Sequence, residues 1–247
     1  MKLSDQNIRE KEFHNKLQSG EGVRSENKFY KAIFNLYRDF EIFLKNNSKD
    51  KNILDYGCGI GSVTEQIARH NPSKITGFDI SEVSIEKAIS NAKKLNLQIE
   101  YKVDNCEKSS FESEKFDIIY GSGILHHLNL EASIKEINRL LKKNGKMIFV
   151  EPLGTNPFIN IYRNFTPESR SEDEHPFSKK DFESIKNIFE KVSIRYYGFF
   201  TLIFCPFYKK PEKSLIYKFC ADLDKIFFKI KFFRFLAWSV LIVGEKN

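Results

Sequence analysis

Three glycines spaced by single residues, Gly57, Gly59 and Gly61, stand between an apolar run, Ile53-Leu54-Asp55-Tyr56, and a segment of helical spacing. Glycine there admits dihedrals and a close ligand approach that a Cβ would block. The N-terminus of the following helix offers free N–H groups to a carboxylate or phosphate. Asp79 lies 22 residues beyond Gly57, at the end of the next apolar run, where an acid can take both hydroxyls of a ribose. Together these residues read as a site for a nucleoside-bearing cofactor. The third glycine comes one residue earlier than in the GxGxxG of dinucleotide-binding folds, giving GxGxG preceded by Asp55. Side chains able to move a proton follow downstream: His126, His127, Glu151 and His175. Cys58, Cys106, Cys205 and Cys220 lack CxxC spacing and the five histidines lack HxxxH or HExxH, so neither a disulfide framework nor a metal site is expected.

These residues need elements that bring them to one edge of a sheet. Strand-like runs at 51–56, 74–78, 99–103, 116–120 and 146–150 alternate with helical segments at 62–69, 82–95 and 131–142, the last stopped by Asn144-Gly145. Such alternation with short connections predicts a parallel sheet covered by helices on both faces. Residues 1–48 read as helical, with Phe29, Ile33, Leu36, Phe40 and Leu44 along one stripe. After a polar loop from residue 152, a helix opens at Ser178, with Ser178 as N-cap and Asp181 in the first turn. Runs at 191–200 and 237–245 read as strands, forming an antiparallel edge. Between them Leu215, Ile216, Phe219, Leu223, Ile226, Phe227 and Ile230 mark the inward stripe of an amphipathic helix.

With the motifs in this order, the chain resembles the class I S-adenosylmethionine-dependent methyltransferases, in particular their bacterial small-molecule subgroup. The likeness rests on acid-x-Gly-x-Gly-x-Gly at 55–61, Phe78-Asp79-Ile80-Ser81, Val103-Asp104-Asn105, Phe116-Asp117-Ile118-Ile119-Tyr120, and Leu140-Leu141-Lys142-Lys143-Asn144-Gly145-Lys146. It implies a Rossmann-like, seven-stranded, mostly parallel sheet with helices on both faces and an antiparallel C-terminal edge strand. It also implies S-adenosyl-L-methionine as cofactor. Gly57, Gly59 and Gly61 would then line its methionine part, Asp55 would hold its amino group, and Asp79, with Ile80 beside it, would bind the ribose. Asp104 would accept from the adenine amine while the Asn105 backbone reads the ring edge, and Gly121 would approach the methionyl backbone. Asp117 reads as a structural carboxylate.

Methyl transfer from a sulfonium needs alignment and exclusion of water more than acid catalysis, because the thioether leaves neutral. A hydroxyl acceptor would need a base, and His126, His127, Glu151 and His175 are the candidates, with Tyr162 and Arg163 as substrate contacts. The expected reaction is methylation of a small organic acceptor, on oxygen. The alternatives are a lipid-like or quinone acceptor at a membrane surface and a catalytically silent cofactor-binding partner protein. Residues 1–48 resemble a lid on a methyltransferase domain of 49–247, with cap elements at 152–177 and 201–236.

The formal charge of +7 permits an anionic partner without requiring one. Its excess is local: residues 207–234 carry eight Lys or Arg against three acids, and 196–238 hold 15 of the 35 aromatics. That segment reads as a cap packed on the sheet with solvated lysines, or as an element touching a membrane peripherally. Nucleic acid is not expected, since the Asn/Asp-Pro-Pro-aromatic motif and a separate RNA-binding module are both missing. The start has no apolar signal region and the longest apolar stretch, 198–207, is too short to span a bilayer, so a cytoplasmic location is expected.

Overall fold

The computed structural model describes residues 3–20, 29–166, 171 and 173–247. It opens with α1 (Asp5–Ser19), then a 3-10 turn at Tyr30–Ile33 leads into α2 (Phe34–Asn47). The chain continues as β1 (Asn52–Tyr56), α3 (Ser62–Ala68), β2 (Lys74–Asp79), α4 (Glu82–Lys94) and β3 (Glu100–Val103). Next come β4 (Phe116–Ser122), a 3-10 turn at Leu125–His127, α5 (Leu130–Leu140) and β5 (Leu141–Pro152). The last part comprises α6 (Pro157–Asn164), α7 (Lys179–Ile188), β6 (Lys191–Tyr197), the short α8 (Phe200–Ile203), α9 (Leu215–Phe227) and β7 (Ser239–Glu245).

The seven strands form one sheet in the order β3-β2-β1-β4-β5-β7-β6. β1 to β5 are mutually parallel, and β7 runs antiparallel to both of its neighbours. The expected antiparallel C-terminal strand is therefore present, slotted between β5 and β6. Successive strand residues alternate between two cores, as a period of two requires. Leu54, Ile119, Met147 and Phe149 face α5 and α7, whereas Ile53, Ile118, Ile148 and Val150 face α2, α6 and α9. The sheet order reverses between β1 and β4, so a crevice opens at their carboxyl ends, where ligands bind in open α/β sheets.

Four local expectations are corrected. The polar text after residue 152 contains a helix, α6, because Asn156 accepts from the Phe158 and Ile159 N–H groups and Pro157 occupies the first turn. β5 starts at Leu141 rather than 146, since Asn144 and Gly145 exchange backbone hydrogen bonds with Lys246 beyond β7. β6 ends at Tyr197, where Gly198 turns the chain at φ +86°, and residues 200–203 become helical. The fourth concerns α9, whose expected inward stripe is largely outward. Leu215 and Phe219 are 79% and 65% exposed, and Tyr217, Cys220, Ala221 and Asp224 are buried instead. Two polar anchors select that face. The Tyr217 hydroxyl accepts from the Asn35 N–H at 2.8 Å. Asp224 accepts from the Phe200 N–H at 2.7 Å and the Thr201 hydroxyl at 2.7 Å, satisfying the start of α8.

Candidate functional site

The glycine loop leaves β1 at the crevice. Gly59 has φ +52° and open space where a Cβ would stand, and its N–H donates to Asp79 Oδ2 at 2.9 Å. A Cβ on Gly57 would overlap the side chain of Ile124, which lies over the loop from beyond β4. Asp79 closes β2, and its other oxygen accepts from the Ser81 N–H at 2.9 Å; Ile80 stands between them in the turn to α4. Asp55 is buried under the loop and accepts from the Thr64 hydroxyl at 2.6 Å, and burial pushes its carboxyl up to about 7. A carboxylate at the strand end, a loop without Cβ atoms and a buried acid beneath it suit a cofactor with a ribose and a cationic amino group.

The third strand end is more self-contained than expected. Asp104 accepts from the N–H and hydroxyl of Ser110 and from the Asn105 N–H, with Lys102 Nζ at 3.2 Å. These donors hold its carboxyl below the ordinary range against the opposing effect of burial. The Asn105 side chain donates to Asn7 of α1 at 3.1 Å. Both residues thus organise the loop and its cover. Gly121 lies within β4, tightly packed by Phe149 and Ile124. Asp117 accepts from the Asn52 N–H and Lys142, as a structural carboxylate should.

At the ends of β4 and β5 lies a cavity of about 630 Å³, also bounded by α1 and α6; its wall residue Gly123 adjoins Ile124, whose side chain lies against Gly57. His126 and Glu151, both buried, meet on its wall, with Nδ1 and Oε2 2.6 Å apart. The other Glu151 oxygen accepts from the Ile124 and Leu125 N–H groups at 3.2 and 2.9 Å. Both oxygens are therefore engaged and the imidazole is fixed by one ring nitrogen, the arrangement that orients a general base. His127 faces the same cavity with Nδ1 3.3 Å from Glu10 Oε2 and 3.2 Å from the Ser171 hydroxyl. Burial opposes its charged form, but the Glu10 carboxylate outweighs it and raises the His127 pKa.

Tyr162 and Arg163 of α6 also line the cavity. The tyrosine ring meets Phe29 edge-on, and the guanidinium donates to the Leu153 carbonyl at 2.8 Å and to Asn160 at 3.0 Å. His175 does not join them. Its side chain is 75% exposed, and only its backbone N–H reaches the site region, donating to the His126 carbonyl at 2.7 Å. Of the polar run from Thr166 to Pro176, residues 167–170 and 172 lie outside the described residues.

Sequence reasoning missed His14, which α1 brings to the cavity wall, and Glu10, buried one turn earlier against His127. Low-hydrophobicity α1 is fastened by polar contacts: Gln6 donates to the His127 carbonyl, Asn7 to Glu107, and Arg9 to both oxygens of Asp173. The one sequence signal was the polar text Glu10-Lys11-Glu12-Phe13-His14, whose partners lie more than 100 residues away.

A family model described as a methyltransferase domain matches residues 53–145. A ubiquinone biosynthesis O-methyltransferase of Pelagibacter ubique is 40% identical over 115 residues, 46% of this chain and 47% of that protein. Its counterpart in Coxiella burnetii is 35% identical over 102 residues, 41% and 43% of the two chains. The chain thus spans about half the length of the curated relatives it matches. Among solved structures, geranyl diphosphate C-methyltransferase from Streptomyces coelicolor, in complex with Mg2+, geranyl diphosphate and S-adenosyl-L-homocysteine, aligns with a TM-score of 0.68 at 12% identity, covering 100% of both chains. Haemonchus contortus phosphoethanolamine N-methyltransferase 2, in complex with phosphomonomethylethanolamine and S-adenosylhomocysteine, aligns at 0.62 and 16%, covering 85% of this chain and 52% of that one. Residues 53–145 thus match a methyltransferase-domain model, and the fold of the chain is shared with these solved structures.

Proposed function

We propose that the protein transfers a methyl group from S-adenosyl-L-methionine to an oxygen of a small organic acceptor. The observation that carries this reading is the buried His126–Glu151 pair, 2.6 Å apart, on the wall of the cavity at the carboxyl ends of β4 and β5. The O-methyltransferase relatives support the same acceptor atom. When bound, the cofactor supplies an electrophilic methyl carbon whose leaving group departs as a neutral thioether. Gly57, Gly59 and Gly61 would hold its methionine part, Asp79 its ribose and Asp55 its ammonium, with Asn7 and Asn105 closing over the nucleoside end. The acceptor enters from the α6 side, between Tyr162 and Arg163. His126, held at Nδ1 by Glu151, takes the hydroxyl proton at Nε2, and the oxygen keeps the electron pair that forms the new bond. Water exclusion falls to α1, acting as a lid, and to the cap segments at 152–177 and 201–236. Those segments are joined where Thr155 donates to the Phe235 carbonyl and Asn156 to that of Leu236. His126→Asn and Glu151→Gln are expected to lower kcat by about 10²-fold or more, the scale of general-base catalysis, with cofactor Kd unchanged by calorimetry. Full turnover in both variants would overturn the role.

A second reading concerns the acceptor. Phe158 and Ile161 of α6 and Phe165 just beyond it are exposed, Phe165 to 80%, with Phe158 lining the cavity, and α9 packs on the same face of the sheet with Leu215 and Phe219 turned outward. A lipid-like or quinone acceptor would use that apolar lip. Lysines interleaved along residues 209–231 would favour an anionic membrane surface beneath it.

A further inference from the structure

We infer that Glu10, His14 and His127 form a divalent transition-metal site on the acceptor side of the cavity. Glu10 and His14 stand one turn apart on α1, and His127 reaches them from the 3-10 turn after β4. Glu10 Oε2 is 3.3 Å from His127 Nδ1 and 3.6 Å from His14 Nε2, and all three donor atoms lie within 4.8 Å of one another. A tetrahedral ion bound at ~2.0–2.1 Å keeps its donors about 3.3 Å apart, so these two separations are within a few tenths of an ångström of those in a loaded site.

The second observation is the state of Glu10. Its side chain is 5% exposed, one oxygen accepts from the Ser171 hydroxyl, and the other, Oε2, accepts no hydrogen bond. A buried carboxylate oxygen that faces two imidazole nitrogens, at 3.3 and 3.6 Å, without a hydrogen bond of ordinary geometry to either is one a cation would satisfy. Two imidazoles and one carboxylate are a donor set for Zn2+ or a similar ion, and three protein ligands leave a coordination position open. His14 and His127 both line the cavity, so that position faces the acceptor.

This inference rests on the O-methylation reading for its chemical consequence. A hydroxyl coordinated there ionises more readily, which favours acceptors with an acidic hydroxyl, such as phenols. The ion would also tie α1 to the β4 edge. Sequence spacing could not reveal the site, since His127 lies more than 100 residues from Glu10 and His14.

The test measures metal binding directly. The full-length protein, stripped with chelator, is titrated with Zn2+ and with Co2+, reading stoichiometry by elemental analysis, Tm, and the visible d–d bands of Co2+. One ion per chain, with tetrahedral Co2+ absorption, is expected. Glu10→Gln and His14→Ala, the latter a partly exposed residue, should weaken binding at least tenfold while keeping the circular dichroism of the wild type. His175→Ala, the control for an exposed histidine, should bind normally. Absence of a stoichiometric ion, or binding equal in all variants, overturns the site and leaves Glu10–His127 as an ion pair alone. A bound ion without methyl transfer to any hydroxylated acceptor would instead refute the O-methylation reading and keep the site.

Discussion

At the scale of residues, Asp55 makes the sharpest statement. It sits on β1 beneath the glycine loop, and burial moves its pKa from 3.8 up to about 7. A carboxyl raised in the folded state stabilises the cofactor-free protein below the unfolded pKa, and this contribution is lost as pH rises towards 7. Between about pH 4 and pH 7 the wild type should therefore lose stability relative to Asp55→Asn, in denaturant titrations without cofactor. An ammonium beside Asp55 favours its ionised form, so cofactor binding should release up to one proton below about pH 7, and affinity should rise with pH over the same window. Calorimetry in buffers of different ionisation enthalpy reads that proton, and a pH-independent affinity would remove Asp55 from the ammonium. Asp79→Ala should weaken cofactor binding by more than tenfold, the scale of charge-assisted hydrogen bonds to a ribose. These residues were legible because chemistry and spacing coincide within one strand–turn–helix unit. Glu10 and His14 were not, because their meaning depends on His127, a partner supplied only by the fold. His175 was misread for the converse reason: its type suited the chemistry, but its side chain points to solvent while its backbone supports His126.

At the scale of elements, the five strands of the cofactor half followed from their sequence because each apolar run is short and punctuated by turn residues. α9 did not. Its apolar stripe suggested one inward face, yet Tyr217 and Asp224 made the opposite face the better one by satisfying the Asn35 N–H and the start of α8. Burial of hydrogen-bonded polar groups thus outweighed hydrophobic pattern, since an unsatisfied N–H costs about 1–3 kcal/mol. Asp224→Ala should accordingly destabilise the protein by about that amount in urea denaturation. α1 is held differently, by Gln6, Asn7 and Arg9 and by Asn15, which accepts from the Ser81 hydroxyl. A helix docked by polar contacts rather than a large apolar face opens at low cost. Limited proteolysis should cut α1 readily without cofactor and slowly with S-adenosylhomocysteine present; equal rates would mean that α1 is fixed cover and not a lid.

At the scale of the whole molecule, the surplus positive charge and the aromatics concentrate on the cap, outside the glycine loop and strand ends. Some of the cap aromatics pack, as Phe227 does on Phe199 and Phe233 with stacked rings 5.0 and 4.2 Å apart. The outward Leu215, Phe219 and Ile226 of α9 are exposed instead, with Lys213, Lys218 and Lys225 interleaved among them in the sequence. Anionic vesicles should therefore co-float the protein, neutral vesicles should not, and Phe219→Ser with Leu215→Ser should abolish flotation. Recovery of the wild type in the unbound fraction with anionic vesicles would restrict the acceptor to soluble molecules. No helix among the described residues is long and apolar enough to cross a membrane.

The central claim is that the His126–Glu151 wall and the glycine loop together move a methyl group to oxygen. The most direct measurement incubates the protein with S-adenosyl-L-methionine labelled in its methyl group and a panel of hydroxylated aromatic acceptors, hydroquinones included, and locates the label by mass spectrometry. An O-methyl product formed in step with S-adenosylhomocysteine is expected, strongly reduced in His126→Asn. Tight cofactor binding without label in any product, or label on nitrogen or carbon alone, would contradict it.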